Sequence, residues 1–76
     1  MTRVGLIGLG RTGSIVAREL LDNPEFKVVM SMVSPGSHRI GLDLGEVLSI
    51  GSRNIKITGS NRLESELQAG NPQVIV

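Results

Sequence analysis

The segment Gly8-Leu9-Gly10-Arg11-Thr12-Gly13 constrains the fold more than any other feature of the chain. A G-x-G-x-x-G spacing is weak evidence when it stands alone, but here it follows a strand-like run and opens a helix-like one. The run Val4-Gly5-Leu6-Ile7-Gly8-Leu9 lacks alternation, as expected for a short strand buried on both faces. From Thr12 onward Ile15, Val16, Leu20 and Leu21, with Ala17 beside them, recur at spacings that wrap one face of a helix. Asp22-Asn23-Pro24 ends that helix, because the residue before a proline is pushed out of the α region. Phe26 to Val33 is a second strand, closed by the turn signal Ser34-Pro35-Gly36. In this context each glycine has a task. Gly8 permits the tight turn, Gly10 lets a pyrophosphate approach the backbone, and Gly13 lets the helix lie close to the strand. The helix start adds free N–H groups and the positive end of its dipole. The plainer alternative is a glycine-rich strand–helix turn with no ligand.

The rest of the chain continues the alternation of strands and helices. Leu42 to Ile50 holds a short helix in a glycine-interrupted pattern. Arg53 to Thr58 alternates polar and apolar residues, which predicts a strand with one exposed face at a sheet edge. Asn61 and Glu64 have the spacing of a capping box for a helix over 62–69, which Gly70 and Pro72 then stop. Gln73 to Val76 is a fourth strand. The order predicts an α/β fold: a Rossmann-like, doubly wound parallel sheet of about four strands. A chain of 76 residues that stops on an apolar strand reads as the N-terminal part of a dinucleotide-binding domain, an incomplete domain with the substrate-binding and catalytic domain absent. Its last strand is then an open apolar edge. That edge, or the uncovered sheet face, predicts homo-oligomer formation.

Charge and composition exclude several functions. Eight Lys and Arg against seven Asp and Glu leave a formal charge of +1, which gives no electrostatic footprint for nucleic acid or an anionic membrane. The apolar runs are too short to span a bilayer. No cysteine is present, so disulfides and thiolate-ligated zinc are excluded, and a soluble, cytoplasmic protein is expected. No metal-ligand spacing, nucleophile elbow or Ser/His/Asp set occurs, and no catalytic residue is assigned.

The candidate cofactor-binding residues are Gly8, Gly10, Arg11, Thr12 and Gly13 in the turn, with Val33, Ser34, Ser37 and Arg39 after the second strand. Arg11 and Thr12 suit phosphate contact, although Arg11 equally suits a solvated helix start. In a dinucleotide fold an acidic residue about 20 residues past the glycines bonds the ribose 2′-hydroxyl. Val33 stands there instead. Without that carboxylate, and with Ser34, Ser37, His38 and Arg39 in one loop, the pattern favours NADP over NAD. The plain reading of Ser37-His38-Arg39 is a polar loop, and a lone His38 is weak evidence for a general base. Asp43 and Glu46 read as helix-start charges.

Taken with Gly41-Leu42-Asp43-Leu44-Gly45-Glu46-Val47-Leu48 and Asn71-Pro72-Gln73-Val74-Ile75-Val76, these motifs resemble the N-terminal domain of the dihydrodipicolinate reductase family over essentially the whole chain. The related 2,4-diaminopentanoate dehydrogenases share the pattern. The resemblance implies a cofactor-binding half, in which the loop after the fourth strand approaches the nicotinamide. A later domain supplies the histidine and lysine that act on the substrate. An acidic residue often stands in the family where this chain has Val33, a departure that argues against NAD use. Two classes of function follow: the NAD(P)H-binding portion of a reductase, or a stand-alone nucleotide-binding or regulatory module without catalysis.

Overall fold

A computed structural model describes all residues from Met1 to Val76. The elements are β1 (Thr2–Ile7), α1 (Arg11–Asp22), β2 (Phe26–Val33), α2 (Leu44–Val47), β3 (Ile57–Gly59), a 3-10 turn (Ser60–Arg62), α3 (Leu63–Gly70) and β4 (Val74–Ile75). The four strands form one sheet in the order β3-β2-β1-β4, and all three pairings are parallel. This is the Rossmann-like α/β arrangement predicted from the element order. No helix is long and apolar enough to cross a membrane.

The core is one cluster in which β1, β2 and β3 supply Val4, Leu6, Val28, Val33 and Ile57. Ala17 of α1 and Leu44 of α2 are completely buried against it, and Leu48 nearly so. Helix α1 meets the cluster through a narrower face than its apolar spacing predicts, because Ile15 is 54% exposed. The ladder between β1 and β2 skips a residue: Val4 pairs with Val28 and Gly5 with Met30, so Val29 bulges out of register. Beyond the bulge Met30, Ser31, Met32 and Val33 are all buried in succession.

Four local expectations are corrected. Strand β1 ends at Ile7 rather than Leu9, because Gly8 turns the chain at φ +98°. Leu9 is nevertheless buried, as an anchor beneath the turn. Of the stretch 53–58, only Ile57 and Thr58 join the sheet. The residues before them face α2, with Asp43 and Lys56 forming an antiparallel bridge. The capping box at Asn61 does not form, since a 3-10 turn precedes α3 and no side chain caps it. Gly70 is the last residue of α3, and the left-handed residue that caps the helix is Asn71, φ 46°, rather than the glycine. Gly70 is small for a different reason: a Cβ there would lie 3.2 Å from the Val29 carbonyl oxygen and from one of its methyls.

Strand β4 forms one edge of the sheet, and Val74, Ile75 and Val76 are 46%, 46% and 52% exposed.

Candidate functional site

At the C-terminal ends of β1 and β2 the chain encloses a cleft of about 600 Å³, lined by Gly8, Leu9, Gly10, Arg11, Ser14, Val33, Ser34, Ser37 and Arg39. In an open parallel sheet this is the end at which the strands release their loops and the following helix presents its N-terminus. A larger cavity of about 760 Å³ lies at the opposite ends of the strands, against Arg3, Phe26, Lys27 and Lys56. It has neither a glycine turn nor a helix start.

The glycine turn is built by contacts that tolerate no side chain at one position and leave room at another. A Cβ on Gly13 would sit 2.9 Å from the carbonyl oxygen of Gly8, so the first turn of α1 rests directly on the turn leaving β1. A Cβ on Gly10 would meet no atom within 4 Å, so the space in front of that residue is open. Gly10 occupies the N-cap position, no side chain caps the helix and its first turn holds no acid. The first backbone bond closing the helix runs from the Ser14 N–H to the Gly10 carbonyl, at 2.8 Å. The N–H groups of the three preceding residues therefore have no acceptor within the helix, the arrangement that attracts an anion.

The loop after β2 is drawn against this turn by one side chain. Arg39 donates from Nη1 to the Leu9 carbonyl at 2.7 Å, and the same carbonyl accepts the Ser14 hydroxyl at 3.1 Å. The Arg39 backbone N–H in turn donates to Ser37 Oγ at 3.1 Å. The lining thus carries two guanidinium groups and no carboxylate. Val33, at the end of β2, is 8% exposed and belongs to the core cluster.

The structure brings Gly8, Gly10, Arg11, Val33, Ser34, Ser37 and Arg39 to one cleft. Thr12 and Gly13 lie outside its lining; Thr12 is exposed on α1, and Gly13 supports the turn from behind. Ser14 is a lining residue that the sequence pattern does not single out. Its place follows from helix geometry, one turn after Gly10 on the same side.

A second constellation lies outside the cleft lining. Asp43 caps α2 by accepting the Glu46 N–H on Oδ2 at 3.1 Å. Its two oxygens also accept the Arg53 N–H at 2.9 Å and the Ile55 N–H at 2.7 Å. The Arg53 N–H foremost, with those of Ile55, Glu46 and Gly45, holds the Asp43 carboxyl below its ordinary value of 3.8, against the opposing effect of desolvation. A carboxyl held low in the folded state stabilises the fold fully above its unfolded value and loses that contribution as pH falls through the folded one. Asp43→Asn is therefore expected to be less stable than the native chain near neutral pH. The difference between the two should shrink on acidification below about pH 3.8. Urea midpoints measured across that range check it, and a constant difference would remove the ionised carboxylate as the cause.

The sequence matches the family model for the dihydrodipicolinate reductase N-terminus over residues 2–76. The chain belongs to this family. Among the curated members, 4-hydroxy-tetrahydrodipicolinate reductase of Methanococcus vannielii is 32% identical over 77 aligned positions, covering all of this chain and 28% of that protein. The reductase of the same name from Methanosphaera stadtmanae is 34% identical over the same extent. That of Chromohalobacter salexigens is 34% identical over 76% of this chain. The chain thus spans under a third of the length of these members of the family.

Proposed function

We propose that this chain is the NAD(P)H-binding portion of a dihydrodipicolinate reductase-like oxidoreductase, and that the cofactor's pyrophosphate lies against the Gly8–Gly13 turn. The observation that carries the reading is the cleft at the strand ends: an uncapped helix start, two guanidinium groups and no carboxylate. The open space before Gly10 fits a pyrophosphate, which needs close backbone approach. Family membership supports the same reading.

Within it, the first-turn N–H groups of α1 hold the phosphates, and Leu9 beneath the turn fixes their height. Arg39, with Ser34 and Ser37, takes the adenosine ribose and favours NADP, because an apolar Val33 neither bonds a 2′-hydroxyl nor repels a 2′-phosphate. When bound, a reduced nicotinamide supplies a hydride. The residues of this chain hold the adenosine and phosphate end, and groups elsewhere in a longer protein act on the substrate.

Titration of the ¹⁵N-labelled chain with NADPH up to millimolar concentration tests the reading. The amides of Gly10 to Gly13 are expected to shift together and to saturate weakly, since this chain spans under a third of the length of its relatives and offers correspondingly few contacts. Unmoved glycine amides at saturation of the titration range would overturn the proposal.

A further inference from the structure

The reading of Arg39 as the discriminating residue raises the question of what holds its loop in place. Residues 34–40 leave β2 at Val33 and have no strand of their own. Their far end is secured by a short antiparallel pairing. The Gly41 N–H donates to the Ile57 carbonyl at 2.8 Å, the Ile57 N–H to the Leu42 carbonyl at 2.9 Å, and the Leu44 N–H to the Ile55 carbonyl at 2.8 Å. The Leu42 N–H also donates to the carbonyl of Arg39 itself at 3.1 Å.

One polar side chain spans this pairing. The Asp43 carboxylate ties Arg53 and Ile55 on one arm to the start of α2 on the other, through three backbone N–H groups. The pairing is otherwise held by its backbone bonds and by the burial of Leu44 and Ile57 in the core, while a glycine at φ +91° directly precedes Leu42. Two residues before Gly41, Arg39 reaches Leu9 through its side chain. The Arg39 guanidinium thus bonds the glycine turn directly, while its backbone adjoins the pairing that the Asp43 carboxylate spans.

We infer that Asp43 is a positioning residue for 2′-phosphate recognition, holding the loop so that the Arg39 guanidinium meets the cofactor ribose. This inference rests on the proposed function above. It concerns a carboxylate that does not line the cleft.

The test measures dissociation constants of NADP and NAD for the native chain, Asp43→Asn and Arg39→Ala, with amide hydrogen exchange on the same samples. Asp43→Asn is expected to reduce the preference for NADP by about tenfold while leaving NAD affinity within about twofold, because a displaced charged contact loses most of its worth. Exchange at Gly41 and Leu42 should rise in the same variant, with β1 and α1 unchanged. Equal weakening of both cofactors, or an unaltered preference, would overturn the positioning role even if Arg39→Ala abolishes the preference as expected. If Arg39→Ala itself leaves the preference intact, the assignment of Arg39 falls first, and the inference falls with it. Should Asp43→Asn fail to fold, Asp43→Ser keeps a cap acceptor for the Glu46 N–H and removes the tether to Arg53 and Ile55. The same outcomes then decide the question.

Discussion

Replacing Gly45 by alanine is expected to lower the melting temperature by roughly 12–24 °C, the shift that about 3 kcal/mol produces in a domain of this size. Gly45 is buried in α2, and a Cβ there would overlap the carbonyl oxygen of Gly51 and lie 2.5 Å from Arg53 Cγ and 3.0 Å from its backbone nitrogen. Two of those three neighbours are backbone atoms. They cannot swing aside as a flexible side chain would. The same two segments are tied by Asp43, so relieving the overlap pulls against the Arg53 and Ile55 hydrogen bonds. A chain this small buries only about 60–65% of the surface its unfolded form exposes, and a loss of that size is a large share of its stability. Thermal unfolding followed by circular dichroism measures the effect, with Gly36→Ala as the reference, since a Cβ at Gly36 meets nothing within 4 Å. Equal melting of the two variants would show that α2 does not lie on residues 51–53 as described.

Arg39→Ala is expected to weaken NADP binding by about tenfold to a hundredfold and NAD binding by much less. Hydrogen bonds to a charged partner contribute about 1.5–3 kcal/mol each, and a guanidinium facing a phosphate is such a pair. In the structure Nη1 is committed to the Leu9 carbonyl, which leaves the rest of the fork to meet a ligand at the cleft mouth. Arg39→Lys should recover only part of the loss, because an ammonium offers a point charge where the guanidinium offers a planar fork. Equilibrium binding of the two cofactors to each variant measures the difference. A matching loss for NADP and NAD would mean that Arg39 serves only to draw the loop onto the glycine turn.

The strand–turn–helix start and the alternating element order were legible in the sequence for one physical reason: they are written in local terms. Helical periodicity marks α1, unalternating apolar runs mark β1 and β2, Pro24 closes α1, and the glycine spacing locates the turn between buried strand and helix. The bounds of β2, Phe26 to Val33, are legible because its β-branched and apolar run is flanked by breakers on both sides. Glycine on its own misled where the cause was tertiary. Gly70 looks like a helix stop, but it is small because Val29 lies against it, and the left-handed residue is Asn71. The alternation of Arg53 to Thr58 looks like a strand, yet only its end reaches β2, because the preceding residues are claimed by the Asp43 carboxylate and the Leu44 N–H. The sequence shows Asp43 as a helix-start charge and no more. Its reach to partners ten and twelve residues away exists only once the chain has folded back. The same holds for Arg39 and Leu9, thirty residues apart and joined by one hydrogen bond. Local pattern fixes which elements form; which side chains share a cleft depends on how the sheet brings distant loops to one end.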